Sequence, residues 1–200
     1  MKIVLATSNK GKLREFKEMC QSEILSFQEL LGNVEVEETE DTFKGNALLK
    51  ANEIYEKVSH QYGSGYIVVA DDSGLVVDAL GGEPGIYSAR YAGIGSSDQD
   101  NMKKLIDALK KKNVDSSDAH YTSAIAIVCE EGEYCVHGWV HGEISTTAKG
   151  NKGFGYDPLF TPRGYDQTMA QIDSSIKSQI SHRAKALALA KPIIEMLSRD

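Results

Sequence analysis

Adjacent carboxylates between apolar runs are the first chemistry in this sequence: Ile67-Val68-Val69-Ala70, then Asp71-Asp72-Ser73-Gly74, then Leu75-Val76-Val77. Each run reads as a buried strand, and Gly74 as the point where the chain turns between them. Two negative charges at the edge of a core need a cation or a hydrogen-bond network to compensate them. The segment alone leaves two readings open, a metal-dependent active site and a solvated turn. Three other groups bear on the choice. Thr7-Ser8-Asn9-Lys10-Gly11-Lys12 links a strand to a helix, and its backbone N–H groups, helix dipole and two lysines suit an anion. It lacks the Gly-x-x-x-x-Gly-Lys-Ser/Thr spacing of a Walker loop, and an ordinary connection with surface lysines is the alternative. The acidic run from Val34 to Asp41 holds Glu37 and Glu38, either of which could share a cation with the aspartates; such a run also reads as a solvated face. In Gly153-Phe154-Gly155-Tyr156-Asp157 the glycines allow close backbone approach and Phe154 offers a flat stacking face, unless the loop simply packs on its own domain.

The elements that would position these groups follow from periodicity. Residues 2 to 6 read as a strand, and Leu13, Phe16, Lys17 and Met19-Cys20 fall on a helical period after it. Ile24 to Phe27 fits a short strand. Phe43, Ala47, Leu48, Ala51, Ile54, Tyr55 and Val58 form the apolar side of a long helix that Asp41 or Thr42 would cap. Asn46 and Lys50 project from one face of it. Gly81 to Gly85 is a turn-rich loop, Ile86 to Gly93 a short irregular or helical piece, and Ser97 caps a helix through Met102, Leu105, Ile106 and Leu109. Residues 119–130 and 133–145 form a hairpin near Glu131-Gly132, read as scaffold. His137 and His141 stand too far apart on its second strand for a compact chelate. From Asp173 onward the chain is helical, broken near Ser181, with Lys177, Ser181, His182 and Arg183 around the break.

Composition narrows the class. Two hundred residues with 41% hydrophobic content suit one globular domain, and a net charge of -7 opposes a nonspecific nucleic-acid binder. Cys20, Cys129 and Cys135 are odd in number with no Cys-x-x-Cys pair, which suits free thiols in a reducing cytosol. The N-terminal apolar run is far below signal-peptide or membrane-span length, so a soluble cytoplasmic protein is expected.

In order along the chain, these segments resemble the inosine triphosphate pyrophosphatase family. The resemblance is carried by Ala6 to Lys12, Glu37-Glu38-Thr39 with Thr42-Phe43 and Asn46-Ala47, Asp71 to Leu75, Leu80 to Tyr91, Gly153 to Pro158, and Lys177 to Arg183. Ser8 is a departure, where many bacterial relatives have Gly. The resemblance implies an elongated, two-lobed α/β fold: a mixed β-sheet with flanking helices and a central active-site cleft, residues 1–200 forming one catalytic unit. It implies Mg²⁺-dependent hydrolysis of ITP, dITP and XTP to the monophosphate and pyrophosphate by a homodimer, which removes deaminated purines from the nucleotide pool. By the same resemblance Asp72 is the catalytic carboxylate, as base, metal ligand or both, and Glu38, with Glu37 as alternative, is the second metal ligand. Asp71 ligates or orients. Thr7, Ser8, Asn9, Lys10, Gly11 and Lys12 receive the triphosphate; Phe154 stacks on the base, Asp157, His182 and Arg183 line the purine pocket, Lys177 lies near the phosphate or the base, Ser73 lies beside the ligand, and Gly155 and Tyr156 also bind substrate. A 6-keto oxygen would accept from donors aimed at the purine 6-position, whereas the 6-amino group of adenine would set donor against donor. Two rivals are a nucleotide sensor without catalysis and an aspartyl-phosphate phosphatase; the second lacks its Asp-x-Asp spacing.

Overall fold

A computed structural model describes residues 1–19 and 24–199, with the backbone alone at Lys10, Glu15, Glu18 and Met19, and these residues form six strands and six α-helices. Cys20, one of the three thiols, lies outside the described residues; Cys129 and Cys135 are free. The strands are β1 (Lys2–Leu5), β2 (Ile24–Ser26), β3 (Tyr66–Val77), β4 (Ser116–Cys129), β5 (Gly132–Ser145) and β6 (Phe160–Pro162). The helices are α1 (Lys10–Met19), α2 (Phe27–Leu31), α3 (Phe43–Tyr62), α4 (Asp98–Lys111), α5 (Ser174–Ile180) and α6 (His182–Leu197). Strand order is β2-β1-β3-β4-β5-β6. β1 runs parallel to β2 and β3, with Val4 opposite Leu25 and Val68, while β5 and β6 are antiparallel. The sheet is mixed and the fold α/β, as the family resemblance implies.

The residues gather into two compact units, Met1–Asp72 with Ser123–Gly138 and the chain from Ala184 on, and Ser73–Thr122 with Trp139–Arg183. In the first, β3 shows why parallel strands read as continuous apolar runs: both faces are covered. Ile67 and Val69 pack with Phe16 of α1 and Ala186, Leu187, Ala190 and Ile194 of α6. Val68 and Ala70 pack with Ala47, Ala51, Ile54 and Val58 of α3, whose spacing is the stripe seen in the sequence. Thr42 caps α3 by accepting from the Gly45 N–H. In the second unit Leu75, Val77, Tyr121, Val140 and Ile144 pack with Leu105 and Leu109 of α4. Ser97 and Asp100 close a capping box on that helix.

Two expectations change. There is no turn at Asp71–Gly74, because β3 is one strand of 12 residues through both aspartates. Gly74 does not adopt a positive φ, and the strand continues through it to Val77. Second, α1 begins at Lys10, which puts Gly11 and Lys12 in its first turn rather than in a loop. β6, a strand of three residues ending in Pro162, has almost no sequence signal; proline is tolerated because the strand is at the edge of the order.

Candidate active site

The pleat of β3 decides what each aspartate meets, since successive side chains point to opposite faces. Asp71 shares its face with Ile67 and Val69, the side covered by α1. There its Oδ2 takes the Lys12 ammonium at 2.7 Å, and its Oδ1 accepts a hydrogen bond from Ser123 Oγ. Asp72 shares its face with Val68 and Ala70, the side covered by α3, and its Oδ1 lies 3.4 Å from Lys50 Nζ. Lys50 also donates to Glu38 Oε1 at 2.5 Å and to the Asp71 carbonyl at 3.1 Å. Its ammonium therefore stands between two carboxylates.

Both aspartates are buried, Asp71 at 2% and Asp72 at 6% exposure. Asp72 Oδ2 has no hydrogen-bond partner among the described residues. Burial raises the Asp72 pKa above the ordinary 3.8 and outweighs the lowering by Lys50. Burial alone would lower Lys50, but the charges of Asp72 and Glu38 and the hydrogen bond to Glu38 raise it instead, so it stays an ammonium. Of the two glutamates, Glu38 is half-buried and turned to Lys50, while Glu37 is exposed. The acidic run is held by Asn46, whose Oδ1 accepts from the Glu40 N–H.

The turn into α1 is built by Asn9. Its side-chain oxygen accepts from the N–H groups of Gly11 at 2.8 Å and Lys12 at 3.2 Å, and Thr7 Oγ1 accepts from Asn9 N–H. Ser8 is exposed at its tip, and the Lys10 side chain lies outside what is described.

The second unit assembles the aromatic loop and the break before α6. Asp157 Oδ2 accepts from the Phe154 N–H at 3.0 Å and pairs with Lys177. Lys177 Nζ lies 5.3 Å and Arg183 Cζ 5.7 Å from the centroid of the Phe154 ring, which is 42% exposed. Arg183 also donates to Ser73 Oγ at 3.2 Å. Gly153 permits this packing: at φ 82°, an added Cβ would come within 2.1 Å of Asp157 Oδ2. His182 is buried, its ring stacked on Tyr121 at 4.9 Å and 10°. Ser181 makes the break by leaving helical geometry at ψ 153°.

The Tyr156 side chain is buried, its hydroxyl donating to the Ser88 carbonyl, and the Gly155 N–H donates to Asp98. Sequence reading missed three contributors. Lys50 was marked only by its spacing from Asn46. Ser123 and Tyr121 had one signal each, a hydroxyl and a phenol in the apolar run of β4. His141 pairs with His120, ring centroids 5.2 Å apart, rather than with His137.

The Ham1 family model matches residues 3–193. A protein called dITP/XTP pyrophosphatase from Sulfurovum sp. is 60% identical over 198 residues, covering 98% of this chain and 95% of that one. One of the same name from Nautilia profundicola is 51% identical over 199 residues, covering 99% of this chain and all of that one. Among solved structures, the Staphylococcus aureus Ham1 protein superposes with a TM-score of 0.86 at 39% identity, covering 98% of each chain. A HAM1 protein from Coxiella burnetii gives 0.87 at 33% identity, covering 98% of this chain and 99% of that one.

Proposed function

Because this chain belongs to the Ham1 family, we propose that it hydrolyses deaminated purine nucleoside triphosphates, ITP, dITP and XTP, to the monophosphate and pyrophosphate. The observation that carries the reading is Asp72: a buried carboxylate with one oxygen unpartnered among the described residues, beside lysines and a second carboxylate. An attacking water gives its oxygen to the α-phosphorus and its proton to Asp72, the α–β anhydride bond breaks, and pyrophosphate leaves with the bonding pair. A base of raised pKa holds that proton better than an ordinary carboxylate would. A triphosphate carries about four negative charges, and Lys12 and Lys50 offset part of them.

Two oxygen donors, Glu38 and Asp72, suit Mg²⁺, which keeps several waters and takes only one or two protein carboxylates. Among the described residues no cluster of three or more His, Cys, Asp or Glu is preassembled for a metal, and an ion that keeps most of its waters would need only these two carboxylates. Bound there, Mg²⁺ would neutralise charge on the phosphate oxygens.

For the base, Phe154 stacks while Lys177 and Arg183 offer donors to a 6-keto oxygen. Adenine would set its amino group against them. We also place the protein in the cytoplasm as a homodimer; among the described residues no helix is long and apolar enough to cross a membrane.

The test is a panel of ITP, dITP, XTP, GTP, ATP and dTTP, with Mg²⁺ and with EDTA, assayed separately for pyrophosphate and phosphate. Pyrophosphate from the first three, lost with EDTA, is expected. Binding of ITP without hydrolysis would turn the reading to a sensor, and release of orthophosphate alone to a phosphatase.

A further inference from the structure

Ser123 is fully buried in β4, and its hydroxyl proton goes to Asp71 Oδ1 while Lys12 holds Oδ2 of the same carboxylate. We infer that Ser123 is a positioning residue for the triphosphate: it fixes the plane of the Asp71 carboxylate and, through it, the ammonium of Lys12. The inference rests on the proposed role of Lys12 as a phosphate ligand.

The physical case begins with the lysine. Its ammonium is a point charge on a flexible stem of four carbons and, left alone, samples many positions. A single contact to a carboxylate does little to narrow them, because the terminal torsion of aspartate is itself broad. A hydroxyl bonded to one oxygen stops that rotation and leaves the other aimed at a fixed point. Lys12 is held twice from that side, by Oδ2 at 2.7 Å and by the Asp71 carbonyl at 3.4 Å.

Strand periodicity supports the arrangement. Ser123, Ile125 and Ile127 alternate onto one face of β4, and Ile125 and Ile127 lie in the cluster that contains Ile67 and Val69 of β3 and Phe16 of α1. Asp71 follows Ile67 and Val69 at the same spacing, and Lys12 belongs to the helix that covers them. The two adjacent aspartates thus divide the work. Asp71 orients a cation, and Asp72 keeps an oxygen for the reaction. Preorientation of a charge matters because a site that must organise its ammonium during binding loses affinity in doing so.

The experiment measures binding, not turnover, by titration calorimetry in metal-free buffer with two probes: inorganic tripolyphosphate, which has only the phosphate part, and inosine, which has only the base and sugar. Ser123→Ala is expected to weaken tripolyphosphate about fivefold and leave inosine unchanged. Placed on a Lys12→Met background, it is expected to add nothing, because both changes act on one interaction. Ser123→Cys, similar in size with a weaker donor, should fall between, and it carries the comparison if the alanine variant fails to fold. Unchanged tripolyphosphate affinity, equal weakening of both probes, or a loss that adds to that of Lys12→Met would each overturn the inference. Failure of the hydrolysis reading shows up separately, as a wild type that binds tripolyphosphate but releases no pyrophosphate from ITP.

Discussion

Asp71 and Asp72 are neighbours in sequence but face different helices, so one is engaged by Lys12 and Ser123 and the other keeps a free oxygen among the described residues. That oxygen has a consequence for stability. A carboxylate whose folded pKa is raised favours the folded state when protonated; this contribution is full below the unfolded value and is lost as pH rises through the raised one. Above the raised value the ionised Asp72 is thus a net cost to metal-free protein. Asp72→Asn should abolish turnover while keeping or raising Tm at pH 7, since Lys50 retains Glu38. The Tm difference should close as the pH is lowered through the raised Asp72 pKa. Calorimetry of both proteins checks this, and a fall of about 3 °C or more in the variant, roughly 1 kcal/mol at this size, would contradict it. The aspartates themselves were legible from residue type and surroundings. Ser123 was not: a single hydroxyl in a strand of alanine and isoleucine looks like packing until a carboxylate is found against it.

Elements were read best where the local signal is chemical. Thr42 and Ser97 cap the helices the sequence assigns to them, and the break at Ser181 falls where the helical pattern lapses. β3 went wrong for the opposite reason. Charges in an apolar run look like the end of a strand, and the lysines from α1 and α3 that let the strand continue are distant in sequence. Backbone freedom is needed at Gly153, where φ is 82° and a Cβ would strike the Asp157–Lys177 pair. Gly153→Ala should therefore cost about 1–3 kcal/mol of stability and raise KM for ITP by about tenfold or more. Steady-state kinetics beside a thermal melt measures both; an unchanged KM would show that this loop does not hold the base.

At the scale of the whole molecule, the ordered conjunction of short segments from Ala6 to Arg183 made the family legible, and the match over residues 3–193 bears it out. Two lobes were implied by the resemblance, but the boundaries of the two compact units were not legible. Three of them fall inside strands, after Asp72 in β3, Thr122 in β4 and Gly138 in β5, and one inside a helix, after Arg183 in α6, where composition does not change. One cut lies between Asp72 and Ser73, consecutive residues of β3. Water attack at the α-phosphorus is what separates a pyrophosphatase from a phosphatase. ITP hydrolysed in ¹⁸O-labelled water with Mg²⁺, followed by mass spectrometry of both products, reads that directly. One labelled oxygen in the inosine monophosphate and none in the pyrophosphate is the predicted result; label in pyrophosphate or in free phosphate would contradict it.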